Sequence, residues 1–230
     1  MTDRTALQVR GRAGYLAGLD ALVAVYGLAM RPPPQQLPGR RSIMERHAGN
    51  PAFRAVAVTA AGAGAGAGGG TGDRGDDHAA GSPDGGPAGT ADGGGPEGPV
   101  IAFAYGFRGA GGQWWHDVVR SGITAAAGER TAAAWLADCF EIAEVHVRPE
   151  FQGQGIGRSM LLSLTAGCPH RTAVLSTLDA ESPARWLYAA MGFKDLLRSF
   201  SFPGNGPLYA VMGAALPLRY SEPDLPRPSR

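Results

Sequence analysis

Apolar positions along the chain fall into a series of short periodic blocks separated by glycine and proline. Ala6–Arg10 forms a short first strand candidate. Leu16, Leu19, Val23, Tyr26 and Met30 recur at helical spacing and predict a helix that Arg31-Pro-Pro-Pro ends. A weaker helical pattern covers Gly39–His47, and the Val-rich alternation of Phe53–Thr59 predicts a strand. Val100–Phe107 is the next strand, so the two would form a hairpin around whatever joins them. Residues 110–138 place Trp114, Trp115, His116 and Trp135 on helices. Phe140–Val147 predicts a strand, and Ile156, Met160, Leu161 and Leu164 mark one face of a helix stopped by Gly167 and Pro169. Ala173–Thr177 is a further strand. Ser182 as N-cap, Pro183 in the first turn and Gly192 as stop delimit another helix. Phe193–Phe200 and Tyr209–Leu216 end the series as two strands, and the Pro-rich tail from Pro217 reads as loose. The predicted order is β-α-α-β-β-β-α-β-α-β-β.

One segment breaks the pattern. Ala61–Gly98 holds sixteen glycines and no Leu, Ile, Val, Met, Phe, Tyr or Trp. It cannot bury enough apolar surface to offset chain entropy, so it is expected to be a disordered Gly/Ala/Asp-rich insertion at the hairpin tip. Its Gly-Ala repeat after a strand mimics a dinucleotide fingerprint, but no helix-forming sequence follows. The domain organisation expected is therefore one domain over 1–220 with this insertion at 61–98, and a loose tail over 221–230.

Setting the insertion aside alters the charge balance. The whole chain has 21 Lys+Arg and 20 Asp+Glu. Six acidic residues and one Arg lie in the insertion, which leaves 20 basic against 14 acidic, a net of +6. That modest excess suits a polyanionic ligand and is too scattered for nucleic acid. Cys139 and Cys168 show neither metal spacing nor a disulfide pattern, and the five histidines form no ligand pair, so no metal is expected. Met1-Thr2-Asp3 does not open a secretory leader, and Tyr15–Met30 is too short to span a bilayer. The expectation is a cytoplasmic protein with no membrane partner.

The candidate chemistry lies between Val145 and Leu162, where an apolar strand runs through a glycine-rich turn into an amphipathic helix. Glycines at 153, 155 and 157 would let a ligand approach the backbone closely. Free N–H groups at the helix start would hold an anion, here a pyrophosphate. No Gly-Lys-Ser/Thr is present, which excludes a nucleoside-triphosphate loop. The third glycine also comes one residue too early for a dinucleotide fingerprint.

The turn resembles the acetyl-CoA signature of the GNAT N-acetyltransferase superfamily, Gln/Arg-x-x-Gly-x-Gly/Ala, met by Gln152, Gly155 and Gly157. Farther on, Ala184-Arg-Trp-Leu-Tyr-Ala-Ala-Met-Gly-Phe193 resembles the family pattern Ala-x-x-Leu-Tyr-x-x-x-Gly-Phe. The resemblance covers about residues 100–216 and, more weakly, the first sixty. It implies the GNAT fold, an α/β architecture with a mixed, mostly antiparallel central sheet and helices on both faces.

It also implies acetyl-CoA as co-substrate, held by Val145, Val147, Arg148, Gln152, Gly153, Gln154, Gly155, Ile156, Gly157 and Arg158. In the family two strands splay apart at this point, so Val145 and Val147 would pair with the pantetheine amides. The Val147 N–H is then the candidate donor to the reacting carbonyl oxygen. Arg148 and Arg158 flank the turn and are either phosphate ligands or solvated surface residues.

Tyr188 maps onto the tyrosine that lies beside the CoA sulfur in this family, a candidate general acid. Glu141 stands eleven residues before Gln152, the offset of a catalytic glutamate in histone-type members. Simple alternation sets Glu141 on one face of its strand and Glu144 with His146 on the other. Glu144 and His146 remain alternatives for the base, because a bulge would shift the faces. Glu181 stands where many members have an Asn that contacts the pantetheine arm, so the resemblance does not imply that contact here.

Tyr26, Tyr105, Trp114, Trp115 and His116 are either core residues or the lining of an aromatic acceptor pocket. The acceptor implied is a primary amine of a small molecule or an exposed amine of a protein, with a homodimer left open. The competing reading is a GNAT-fold module that binds an acyl-CoA for regulation without turnover.

Overall fold

The computed structural model describes residues 5–60, 98–204 and 206–221. Its elements run β1 (Thr5–Arg10), α1 (Arg12–Ala17), α2 (Leu19–Met30), α3 (Leu37–His47), β2 (Arg54–Ala60), β3 (Val100–Gly109), α4 (Trp114–Ala127), α5 (Glu129–Leu136), β4 (Cys139–Val147), α6 (Ile156–Thr165), β5 (Thr172–Leu178), α7 (Pro183–Ala190), β6 (Lys194–Ser201) and β7 (Leu208–Ala215). Seven strands match the seven expected. Two helices lie between β3 and β4, over the residues expected to be helical there but absent from the predicted order. The first predicted helix is divided at Gly18, where a Cβ would stand 3.1 Å from the Arg10 guanidinium.

The strands form one sheet in the order β1-β2-β3-β4-β5-β7-β6. All neighbours are antiparallel except β4 and β5. Helices cover both faces, as the apolar clusters show. On one face α6 and α7 pack over Val56, Ala104, Ile142 and Met212. On the other, α1–α3 pack over Ala57, Phe103, Tyr105 and Phe107. Beside them α4 and α5 pack over Cys139, Val174, Leu197 and Val211.

β2 and β3 are antiparallel neighbours, and the Ala60 N–H donates to Pro99 O at 3.0 Å. The expected hairpin is therefore present. The insertion, apart from Gly98, and residues 222–230 lie outside the described residues. Residues 217–221, expected to be loose, fold back on the α6–α7 face. Leu218 is buried there, and the Ser221 N–H donates to Ala190 O at 2.9 Å.

One irregularity determines the site. The β3–β4 register slips between Tyr105 and Gly106, so that Tyr105 pairs with Glu144 and Gly106 with Ile142. Ala143 is the extra residue of a β-bulge. Gly106 permits the close approach, because a Cβ there would collide with Glu141 O and the Phe140 ring.

Candidate active site

β4 and β5 are paired only at Cys139–Thr172, Phe140–Ala173 and Glu141–Val174. Beyond that point β4 continues to Val147 and β5 to Leu178 without pairing with each other, so a gap opens in the sheet. The Arg148 N–H donates to Ile101 O at 2.9 Å, which makes Ala102–Val147 a pair of the wide, non-hydrogen-bonded kind. The backbone groups of Val147, and of Val145 two residues earlier, therefore point into the gap. The Gln152 side chain donates to Val147 O at 3.0 Å and leaves the Val147 N–H facing the opening. An extended amide ligand can add here as a strand.

The strand leads through a single 3-10 turn, Pro149–Phe151, into the glycine segment. Gly153 and Gly155 both have positive φ, 74° and 79°, and Gly155 is the N-cap of α6. Gln152 to Gly155 are exposed, and no side chain caps the helix, so its first N–H groups are open to an anion. Gly157 has a packing role besides the one expected. A Cβ there would stand 2.9 Å from Leu187, so its small size lets α6 and α7 pack closely. Ile156 is a core residue and could offer a ligand only its backbone.

Arg148 is half-buried at the turn, and its Nε has no partner among the described residues. Arg158 stacks over the Tyr220 ring at 4.6 Å. Glu181 is exposed just before α7. The α7 cap itself is as predicted, with Ser182 Oγ accepting from the Arg185 N–H at 3.3 Å.

The bulge corrects the expected faces of β4. Ile142, Val145 and Val147 all lie on the α6–α7 face. Glu141, paired with Phe107 and Val174, lies on the opposite face together with Glu144 and His146. All three candidate bases are thus brought to one side of the gap. Tyr188 approaches from the other side, in the α6–α7 cluster.

The two carboxylates have opposite environments. Glu141 is 4% exposed and its Oε2 has no partner among the described residues. Burial pushes its pKa up to about 8. Burial also opposes a charge on Glu144. There, however, the hydrogen bond with His146 and the charges of His146, Arg40 and His47 prevail and hold it below the usual carboxylate value. Arg40 Nη1 donates to Glu144 Oε1 at 2.7 Å, and His146 Nε2 bonds to its Oε2. The Arg40 guanidinium also lies over Tyr26 at 4.7 Å. Glu144 is therefore a charged, fully partnered group, whereas Glu141 is a free one. Tyr188 is 8% exposed, and burial first, then the Glu144 carboxylate, raises its pKa well above that of an ordinary phenol.

Arg40 is the site residue that sequence reasoning missed. It reaches β4 from a weakly patterned helix 104 residues away, with no local signal. The five aromatic candidates do not form one pocket. Tyr26 and Tyr105 belong to the α1–α3 cluster. Trp115 donates to Ser176 Oγ at 3.1 Å, and His116 is buried with its Nε2 3.2 Å from Leu136 O. Among the described residues, no three His, Cys, Asp or Glu side chains come together as a metal site.

Residues 113–195, which span the gap, the glycine turn and α7, match the acetyltransferase (GNAT) domain family. This central part of the chain is thus similar to GNAT acetyltransferase domains. A curated relative, the GCN5-like protein acetyltransferase Rv2170 of Mycobacterium tuberculosis, is 37% identical over 124 residues. The match covers 52% of this chain and 60% of that protein. Among solved structures, a GNAT-family chain from Desulfovibrio desulfuricans aligns at a TM-score of 0.52 and 11% identity, over 92% of this chain and 98% of the other. YncA from Salmonella typhimurium, solved with its cofactor acetyl-CoA, aligns at 0.51 and 12% identity, over 96% and 99%. At such identities the likeness is one of fold. Among the described residues, no helix is long and apolar enough to cross a membrane.

Proposed function

We propose that this chain is an N-acetyltransferase that moves the acetyl group of acetyl-CoA to a primary amine. The observation that carries the reading is the β4–β5 gap, with an unpartnered buried carboxyl on one face and a buried phenol on the other. Val145 and Val147 would hold the pantetheine arm by strand addition. Gln152, Gly153, Gln154 and Gly155, with the first N–H groups of α6, would hold the pyrophosphate, aided by Arg148 and Arg158. When bound, acetyl-CoA supplies the thioester carbonyl to be attacked.

The chain's own groups have three tasks. An alkylamine of pKa near ~10 arrives charged, so Glu141 accepts its proton, directly or through water. The Val147 N–H donates to the carbonyl oxygen as negative charge builds on it. Tyr188 donates its hydroxyl proton to the departing sulfur. Glu144 is a poor candidate for the base, because its charge is already shared by Arg40 and His146. It serves instead to hold α3 on β4. A free carboxyl and a phenol on opposite faces of the gap favour turnover over the purely acyl-CoA-binding alternative.

The M. tuberculosis relative is a protein acetyltransferase by name, which supports an exposed protein amine as acceptor, and a small-molecule amine remains within the same chemistry. The reading sets the chain in the cytoplasm. CoA release from acetyl-CoA, measured with a panel of alkylamines and lysine peptides, tests it. Amine-dependent release is expected. Tight acetyl-CoA binding with no amine-dependent release would instead establish the regulatory module.

A further inference from the structure

The sheet face that carries Glu141 continues across the gap into an apolar surface that the proposed chemistry leaves unused. Glu141 stands opposite Val174 on β5, and Val174 faces α4 and α5. Alternation places Ser176 and Leu178 on that same face, about 7 and 13 Å farther along at ~3.3 Å per residue. The Trp115 indole bonds to Ser176, so its ring lies over β5 beside the gap. The next ring outward is Trp114, tilted against Phe202 with centroids 5.7 Å apart. Phe202 meets Tyr209 at 5.2 Å, and Tyr209 is the β7 partner of Leu178. Apolar side chains, interrupted by Ser176, thus lie along this face from the gap to the end of the sheet where the two strands have parted.

The outer part of the strip is wet. Trp114 is 60% exposed and Leu178 44% exposed. An exposed apolar strip that leads into a reactive gap marks a binding surface. Its shape discriminates between acceptors. A small alkylamine that reaches Glu141 would touch Trp115 at most and leave Trp114 and Leu178 in water. A polypeptide would cover the strip while the four-carbon stem of a lysine passes Trp115 and brings its ammonium to the carboxyl.

We propose that the strip formed by Trp114, Trp115, Leu178, Phe202 and Tyr209 docks a polypeptide acceptor, with a lysine in the β4–β5 gap and an aromatic or large aliphatic neighbour of that lysine resting on Trp114 and Leu178. The inference rests on the acetyltransferase reading above. In the transfer, the lysine nitrogen bonds to the acetyl carbon as the carbon–sulfur bond breaks. The ammonium gives up two protons. One leaves through Glu141 to solvent, and the other replaces the proton that Tyr188 has given to sulfur.

The test uses the full chain, acetyl-CoA and two peptides, each with a single lysine flanked on both sides by Phe in one and by Gly in the other. The Phe peptide is expected to be favoured about tenfold in kcat/KM, through KM, as partial burial of an apolar ring implies. Trp114→Ala should bring that ratio close to one without lowering Tm, since the ring is largely exposed. Leu178→Ser provides a second, independent variant with the same expected effect. Equal kcat/KM for the two peptides in the unsubstituted chain would overturn the proposal. So would a preference for phenethylamine over both peptides, or a Phe/Gly ratio that neither substitution changes. If no amine is acetylated, the enzymatic reading fails by itself. The strip is then judged by titrating the same peptides, with norleucine in place of lysine, onto the chain. A Phe/Gly difference in Kd that Trp114→Ala abolishes supports it, and no difference overturns it.

Discussion

Removal from water is the main cause of the unusual acidities of Tyr188 and Glu141, with the Glu144 carboxylate adding to it at Tyr188, and the effect suits each group differently. A phenol held protonated at every working pH is always ready to donate. Tyr188→Phe keeps the ring and its contact with Phe193, whose ring centroid lies 5.8 Å away. Its kcat is expected to fall about 10²-fold with KM for acetyl-CoA little changed, the mark of an interaction made in the transition state. Steady-state kinetics check this, and full activity in the variant would leave Tyr188 a packing residue.

A carboxyl with a pKa of about 8 stays protonated in the folded chain while its unfolded counterpart ionises near 4.5. The unfolded state then binds fewer protons, so this group makes the fold less stable as pH rises from about 4.5 to 8. Glu141→Gln removes the effect. Its Tm advantage over the parent should grow by at least about 3 °C between pH 5 and 8 and then level off. In catalysis the same shift moves the window of use upward. The rate deficit of Glu141→Gln should be greatest between pH ~8 and ~10, where the carboxyl is charged and the amine still needs a base. A deficit confined to pH below 7 would exclude Glu141 as the base.

At the scale of elements, two joints govern the site. The first is the start of α6. Gly155 has φ of 79° and faces solvent beside the free helix N–H groups. Gly155→Asp adds strain and a negative charge where the pyrophosphate is proposed to lie. Calorimetric titration of the folded variant should show acetyl-CoA affinity reduced beyond detection, and unchanged affinity would remove the turn from the cofactor site. The second joint is the tie of α3 to β4. Arg40→Ala leaves Glu144 buried with only its histidine partners and should cost about 1–3 kcal/mol in urea unfolding at pH 7. Because the folded pKa of Glu144 is depressed, the pair's contribution is complete above the unfolded value of 4.5 and is lost as pH falls below it. The difference between parent and Arg40→Ala should therefore shrink in acid. A pH-independent difference would mean that packing, not charge, holds the joint.

At the scale of the whole molecule, the sheet is closed around the insertion before any part of the insertion is needed. Ala60 and Pro99 meet in a backbone hydrogen bond, and β2 and β3 stay paired as far as Thr59–Val100, with one register slip between Val58 and Thr59. Replacing residues 61–97 by a short glycine turn should leave Tm within about 2 °C and turnover nearly intact, since closure entropy changes slowly with loop length. Thermal unfolding and CoA-release rates of the shortened chain check this. A large loss of either would show that the insertion takes part in stability or function.

The sequence by itself determined what depends on neighbours along the chain. Seven strands, the helix before Gly167, the Ser182 cap with the Gly192 stop, and both glycine- and tyrosine-bearing motifs follow from periodicity and from residues with fixed backbone preferences. The family resemblance was carried by Gln152, Gly155, Gly157 and the run from Ala184 to Phe193. What crosses the sheet was decided only by the tertiary structure. The face on which Glu141 lies relative to Glu144 depends on the Ala143 bulge, and the bulge depends on Gly106 of a different strand. Arg40 joins Glu144 only because the fold brings residues 104 apart together. Gly157 fits a ligand loop by its spacing, but that Leu187 of α7 packs on it is set by the fold. Residues 217–221 have the composition of a loose tail, yet Leu218 finds the α6–α7 core. Each of these rests on a partner distant in sequence, so no local window of residues contains the force that fixes it.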